Sequence, residues 1–165
     1  MKIIKFKEAD TEEIISLFYE TVHSVNLKDY SQLELDAWAP RDEKESKMKS
    51  WKESLDRNIT FVTKVNDKIV GFSDLTHTGH LDRLYVHKDY QGQGIATALV
   101  NMLESEAKKL NLLEIDTEAS ITAKPFFEHG GYKIVCSQTV ERKGVTLTNF
   151  KMIKNYNYFM KSTVQ

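Results

Sequence analysis

The sequence predicts an α/β chain, α+β in the way its elements segregate, built as one mixed sheet with helices on both faces. Three observations predict it. Short apolar runs and longer stretches of helical periodicity fall in the order strand, helices, three strands, helix, strand, helix, two strands. A glycine-bearing loop, Gln91-Gly92-Gln93-Gly94, joins a strand directly to a helix start. The 165 residues contain no repeat, linker or low-complexity segment, and that length suits a single domain, read as residues 1–154 with a tail at 155–165.

Each element has its own signal. Residues 2–6 alternate as a first strand, and Asp10-x-x-Glu13 resembles a helix start whose apolar face is Ile14, Ile15, Leu17, Phe18 and Val22. Ser31-x-x-Glu34 is a capping box opening a short helix through Leu35 and Trp38, which Pro40 stops. Asp42 to Leu55 reads as one charged helix with a narrow stripe of Met48, Trp51 and Leu55. Ile59–Val65 and Ile69–Leu75 are rich in β-branched and aromatic residues, and Asn66-Asp67-Lys68 between them signals a hairpin.

After the loop His77 to His80, Leu81 to Val86 reads as a buried strand. Ile95, Leu99, Met102, Leu103 and Ala107 then recur at helical spacing. Beyond that helix, Leu112 to Ala119 predicts a strand, Thr122 to His129 a helix stopped by Gly130-Gly131, and 132–140 and 145–153 two final strands. Cys136, in a strand-like run, reads as a small buried hydrophobe. Tyr156, Tyr158 and Phe159 give the tail an aromatic character suited to docking on the domain or a partner.

The strand–loop–helix unit is where chemistry is expected. The first turn of a helix leaves N–H groups without intrahelical partners at the positive end of the helix dipole, and phosphate oxygens satisfy both. Gly92 and Gly94 lack a Cβ and let a bulky anion approach, while Ala96 keeps the next turn uncrowded. The loop has no glycine at Thr97, so it is not a dinucleotide fingerprint, and no Gly-Lys-Ser/Thr follows to make a P-loop.

Leu84-Tyr85-Val86 followed by Gln91, Gly94 and Ala96 resembles the central motif of the GNAT superfamily of N-acetyltransferases, a Leu-x-Val strand and then Arg/Gln-x-x-Gly-x-Gly/Ala. The segment Ser120 to Tyr132 resembles the superfamily's second motif, Asn-x-x-Ala-x-x-Phe-Tyr-Glu-x-x-Gly-Phe. Residues 25–40 are also similar to a subgroup of uncharacterised bacterial GNAT proteins. The resemblance implies a GNAT-like sheet whose strands at 80–87 and 112–119 run parallel and splay apart around acetyl-CoA. It implies further that Gln91, Gly92, Gln93, Gly94, Ile95, Ala96 and Thr97 cover the diphosphate of coenzyme A. Leu84, Tyr85 and Val86 would offer backbone groups to the pantetheine arm and thioester, and Ser120 and Phe127 would complete the cofactor contacts.

Acetyl transfer to an amine needs a base for the ammonium proton and an acid for the thiolate. Glu118 and Asp82, carboxylates near the splay, are the candidate bases, with Ser120 beside Glu118. The superfamily's usual thiolate acid is the tyrosine of the Phe-Tyr pair, and Phe127 stands there instead. That departure supports an alternative, a non-catalytic sensor module binding coenzyme A or an acyl-CoA. His23, Asn26, Tyr30 and Trp38 are expected to face the acceptor, a primary amine of a small molecule or peptide.

Composition bounds the rest. Lys and Arg number 23 against 24 Asp and Glu, a net charge of −1 that leaves no electrostatic footprint for nucleic acid. No apolar run approaches the ~20 residues of a membrane span, and the start has no secretory apolar region, so a cytoplasmic protein without a membrane partner is expected. The one cysteine excludes an intrachain disulfide. His77, His80 and Asp82 have H-x-x-H spacing on a loop and strand rather than a helix, so no metal is expected. Similar proteins imply a homodimer as the assembly.

Overall fold

Seven strands pair in the order β1-β2-β3-β4-β5-β7-β6 in a computed structural model that describes residues 1–156. The strands are β1 (Lys2–Lys5), β2 (Ile59–Val65), β3 (Lys68–Leu75), β4 (His80–Val86), β5 (Glu114–Ser120), β6 (Lys133–Arg142) and β7 (Val145–Asn155). Only β4 and β5 run parallel; every other neighbouring pair is antiparallel. The helices are α1 (Thr11–Ser24), α2 (Gln32–Trp38), α3 (Lys47–Arg57), α4 (Ile95–Lys109) and α5 (Lys124–His129).

The sheet separates two apolar cores. On one face α4 and α5 lay Leu99, Leu103 and Phe127 against Val70, Leu81 and Ile115. On the other α1 to α3 lay Ile14, Phe18, Leu35 and Leu55 against Val62 and Phe72. Gly71 lets α4 settle close on β3: a Cβ there would meet Ile95 Cγ2 at 2.9 Å. The glycine therefore sets the height of the helix that carries the loop.

The Ser31 capping box forms in full, Glu34 N–H to Ser31 Oγ at 3.2 Å and Ser31 N–H to Glu34 Oε1 at 2.8 Å. The Asp10-x-x-Glu13 box does not form. Asp10 accepts from the Lys7 N–H at 2.9 Å in a 3-10 turn, and Glu13 reaches across to the Ile69 N–H at 2.7 Å. The expected helix from Asp42 divides into a 3-10 turn at Arg41–Glu43 and α3 proper, whose Met48, Trp51 and Leu55 do pack on the core.

The β2–β3 turn is two residues long, not three: Asn66 and Asp67 both take positive φ, and Lys68 pairs with Val65. The β5 strand begins at Glu114 rather than Leu112, because Asn111 turns the chain at φ +59 and the Leu112 N–H bonds back to Ala107 O. Cys136 is exposed, contrary to the buried reading, since β6 is an edge strand with most of its residues open to solvent. In the tail, Tyr156 packs on the α4-side core and its N–H bonds to Leu113 O at 2.6 Å, while Tyr158 and Phe159 lie outside the described residues.

Candidate active site

Two parallel strands that part company open the site. The β4 and β5 strands pair only at His80 with Asp116 and Leu81 with Thr117, and the Thr117 hydroxyl donates to Leu81 O at 2.8 Å where they diverge. Divergence coincides with a bulge. Leu75 pairs with Leu81 and Asp74 with Arg83, so Asp82 is an extra residue in β4. From Arg83 to Val86 the strand pairs with β3 alone, which leaves main-chain polar groups on its β5 side without a ladder partner.

A cavity of about 190 Å³ fills the gap, walled by Leu84 and Val86 of β4, Ala119 of β5 and Phe126 and Phe127 of α5. A second of about 190 Å³ lies beyond, walled by Tyr30, His80, Arg142 and Asn149. Trp38, Asp82, Tyr85, Glu118 and Ser120 line both, so the two cavities meet through the opening in the sheet.

At the outer end of the first cavity stands the glycine loop. Gln91 to Gly94 are exposed, Gly92 has φ +71 and Gly94 φ +82, and a Cβ built on either meets nothing within 4 Å. The first intrahelical bond of α4 runs from the Ala98 N–H to Gly94 O, so the amides of Ile95, Ala96 and Thr97 have no partner within the helix. Neither a side-chain cap nor an acidic residue competes for that first turn. The loop is anchored from below: the Gln91 side chain donates to Val86 O at 2.6 Å, the Asp89 N–H to His87 Nδ1 at 3.0 Å and the His87 N–H to Val70 O at 2.8 Å. Open glycines, unpaired amides and a fixed base together fit a bulky anion.

Several side chains of interest are already engaged. Ser120 Oγ accepts the Ala123 N–H at 3.0 Å and keeps its own proton. Phe127 is 2 % exposed, edge-on to both Phe126 and Tyr132. Tyr132 donates to Glu104 at 2.9 Å, and burial with that carboxylate pushes its phenol far above the ordinary range. Burial likewise pushes the Tyr85 phenol up, against the opposing pull of Arg83. Of the residues expected to face an acceptor, Trp38 lines both cavities and Asn26 the first. Tyr30 contributes its ring to the second, while its hydroxyl donates to Thr148 O and accepts the Ile121 N–H. His23 lines neither, its Nε2 held 2.8 Å from Ala39 O.

Two pairs escape inspection of the sequence. Arg83 makes a bidentate pair with fully buried Asp74, at 2.6 Å for its closest nitrogen, and lies over the Trp51 ring at 4.6 Å. His80 Nδ1 is 2.9 Å from Asp116 Oδ1, a contact that depends on the parallel register placing residue 80 beside residue 116. Among the described residues no group of three or more His, Cys, Asp or Glu is arranged to hold a metal, and His77 is 3.1 Å from Arg57 O. No helix of the described residues is long and apolar enough to cross a membrane.

The model of the acetyltransferase (GNAT) domain matches residues 26–154, most of the chain. The chain belongs to the GNAT family of acetyltransferases. This GNAT chain is 34% identical over 154 residues to the uncharacterised N-acetyltransferase YafP of Escherichia coli strain K12, a match covering 92% of the chain and 94% of the relative. Among solved structures it is similar to a GCN5-related N-acetyltransferase from Rhodopseudomonas palustris, with 28% identity, a TM-score of 0.86 and coverage of 93% of this chain and 94% of that one. The PaiA N-acetyltransferase of Thermoplasma acidophilum, solved with coenzyme A, shares the fold at 20% identity and a TM-score of 0.75, covering 94% and 98%. The GNAT assignment makes this an N-acetyltransferase, with the splayed parallel strands as the fold's characteristic opening.

Proposed function

We propose that the chain moves the acetyl group of acetyl-CoA directly to a primary amine of a small molecule or peptide. The observation that carries the reading is the meeting of two cavities through the parted strands, one ending at an anion-ready loop and the other at an acidic and aromatic wall.

In this reading the amides of Ile95 to Thr97, with Gln91, Gly92, Gln93 and Gly94 around them, hold the diphosphate of the co-substrate. The open edge of β4, the main chain of Leu84 and the Val86 N–H, takes the pantetheine amides and polarises the thioester carbonyl, the Tyr85 main chain between them being paired with β3, and Phe127 and Ser120 flank the arm. The amine enters past Tyr30 and Trp38, with Asn26 deeper in. Asp82 and Glu118, the carboxylates at the junction, draw the ammonium in and stand beside the proton it must lose. Its lone pair attacks the carbonyl carbon, the carbon–sulfur bond breaks, and the electron pair leaves with the thiolate. Phe127 offers that thiolate no proton, and burial makes the Tyr85 phenol at the junction a weaker acid than usual, so the thiolate takes the proton that the attacking nitrogen sheds in becoming an amide. Direct transfer is favoured over an acyl-enzyme because the one cysteine, Cys136, lines neither cavity. For the assembly, the open β6 edge with exposed Ile134 and Val135 is the surface on which a homodimer forms in this reading.

Titration calorimetry with acetyl-CoA and thiol release over an amine panel test the proposal together. Binding at micromolar concentration, turnover with at least one amine, and loss of both in Gly94→Glu are expected. Absence of wild-type binding overturns it. Tight binding without turnover on polyamines, aminoglycosides, amino acids and peptides selects the sensor reading that Phe127 favours.

A further inference from the structure

We infer that His80, held by Asp116, takes the proton from the acceptor amine. The inference rests on the acetyl-transfer reading above and names a base that reading leaves open. A primary amine reaches the site as ammonium at neutral pH, and its lone pair is available only after one proton has gone. Carboxylates draw such a group in but are weak bases for it; an imidazole is the side chain whose ordinary range spans neutrality.

The geometry favours this histidine in three ways. His80 is on the wall of the second cavity, at the first paired position of the parting strands, and shares that cavity with Asp82 and Glu118. Its Nδ1 lies 2.9 Å from Asp116 Oδ1, and an ionised carboxylate only accepts, so the proton of the neutral ring belongs on Nδ1. That leaves the Nε2 lone pair as the base, 3.9 Å from Asp82 Oδ1 and too far for a direct hydrogen bond. The ring is thus oriented from behind by one carboxylate and faces another across the cavity.

The charges around the ring are mostly acidic, with Arg142 on the cavity wall and Lys151 opposite Glu118 on β7 as the cations against them. Asp82 is on its own strand, Asp116 and Glu118 are on β5, and Arg142 of β6 lines the same cavity. Arg83 points its guanidinium to Asp74 and, at 3.4 Å, to Asp82, which fixes the position of the Asp82 carboxylate. In the step itself an N–H bond of the ammonium breaks and its proton moves to His80 Nε2. The freed pair forms the N–C bond to the acetyl carbon, the C–S pair leaves as the thiolate of coenzyme A, and the second proton that the nitrogen sheds in becoming an amide neutralises that thiolate. Asp116 touches none of the reacting atoms and is a positioning residue.

Three measurements on the full chain decide it, with the fastest amine of the panel as acceptor. His80→Gln is expected to lower kcat about a hundredfold or more, with acetyl-CoA affinity by calorimetry unchanged, and to abolish the limb of kcat/KM against pH that lies in the imidazole range. Asp116→Asn is expected to lower kcat at least about tenfold with KM little changed. Imidazole nitrogen NMR of the protein without ligand is expected to show His80 protonated at Nδ1, and at Nε2 in Asp116→Asn. An Nε2–H tautomer in the wild type, or His80→Gln with wild-type kcat/KM and the same pH limb, overturns the inference. Failure of the wild type to bind acetyl-CoA instead strikes the reading beneath it, and the two results are told apart by the calorimetry.

Discussion

Tyr30 shows how a side chain that lines a cavity can have its polar end committed elsewhere. Its ring lines the second cavity, edge-on to Trp38, yet its hydroxyl is bound to two backbone groups, Thr148 O at 2.7 Å and the Ile121 N–H at 2.9 Å. Those bonds pin the segment after Ser120 to β7. Tyr30→Phe is expected to lower stability by about 1–3 kcal/mol in urea unfolding, because it leaves the Ile121 amide without its acceptor. The partners lie 91 and 118 residues away, so no local spacing announces them. The same limit hides His80 and Asp116, which look like separate strand residues until register joins them. By contrast, Gly92, Gly94 and Gln91 are legible at once, since positive φ and a helix start are demands that the local chain states for itself.

At the scale of elements, local chemistry succeeds where no distant partner competes. The Ser31–Glu34 box forms as its spacing demands, whereas Glu13 abandons its turn for the Ile69 N–H across the sheet. Both residues of the β2–β3 turn sit in the left-handed region, Asn66 at φ 50 and Asp67 at φ 63, the pattern of a tight hairpin that prefers glycine second. Asp67→Gly is therefore expected to raise stability by about 0.5–1 kcal/mol, read as a higher denaturation midpoint with unchanged slope. Cys136 illustrates the opposite case. Its run has strand composition, and only the position of β6 at the sheet edge decides that it is exposed.

For the whole molecule, the hairpin of β6 and β7 is tied to the 3-10 turn Arg41–Glu43 between α2 and α3 by Lys143 and Glu43, 2.6 Å apart. The hydrogen bond from Lys143 holds the Glu43 carboxyl below its ordinary value, and Glu43 holds the Lys143 ammonium above its own. A lowered carboxyl stabilises the folded chain above its ordinary 4.5 and loses that contribution as pH falls through the lowered value. A raised ammonium stabilises it below 10.5 and loses that contribution as pH rises through the raised value. The tie is thus intact across neutrality and released at both extremes. Both groups are open to water, so Glu43→Gln is expected to leave the melting temperature nearly unchanged while the protection of the Lys143 and Gly144 amides, taken relative to their intrinsic exchange rates, falls and no longer drops further as pH goes below 4.5.

The overall architecture was readable from the order of elements and two motifs, because a mixed sheet with a single parallel pair leaves few alternatives. What the order of elements does not carry is the one-residue surplus at Asp82. Beyond it, Arg83 and Tyr85 face α1 and α3, and Leu84 and Val86 face α4. Were that residue forced into plain alternation instead of bulging out, the strand would turn over from there on, driving a guanidinium into the hydrocarbon beside Leu99 and swinging the phenol away from the junction. Absorbed as a bulge, the insertion leaves every later side chain of β4 on the face where the two cavities need it.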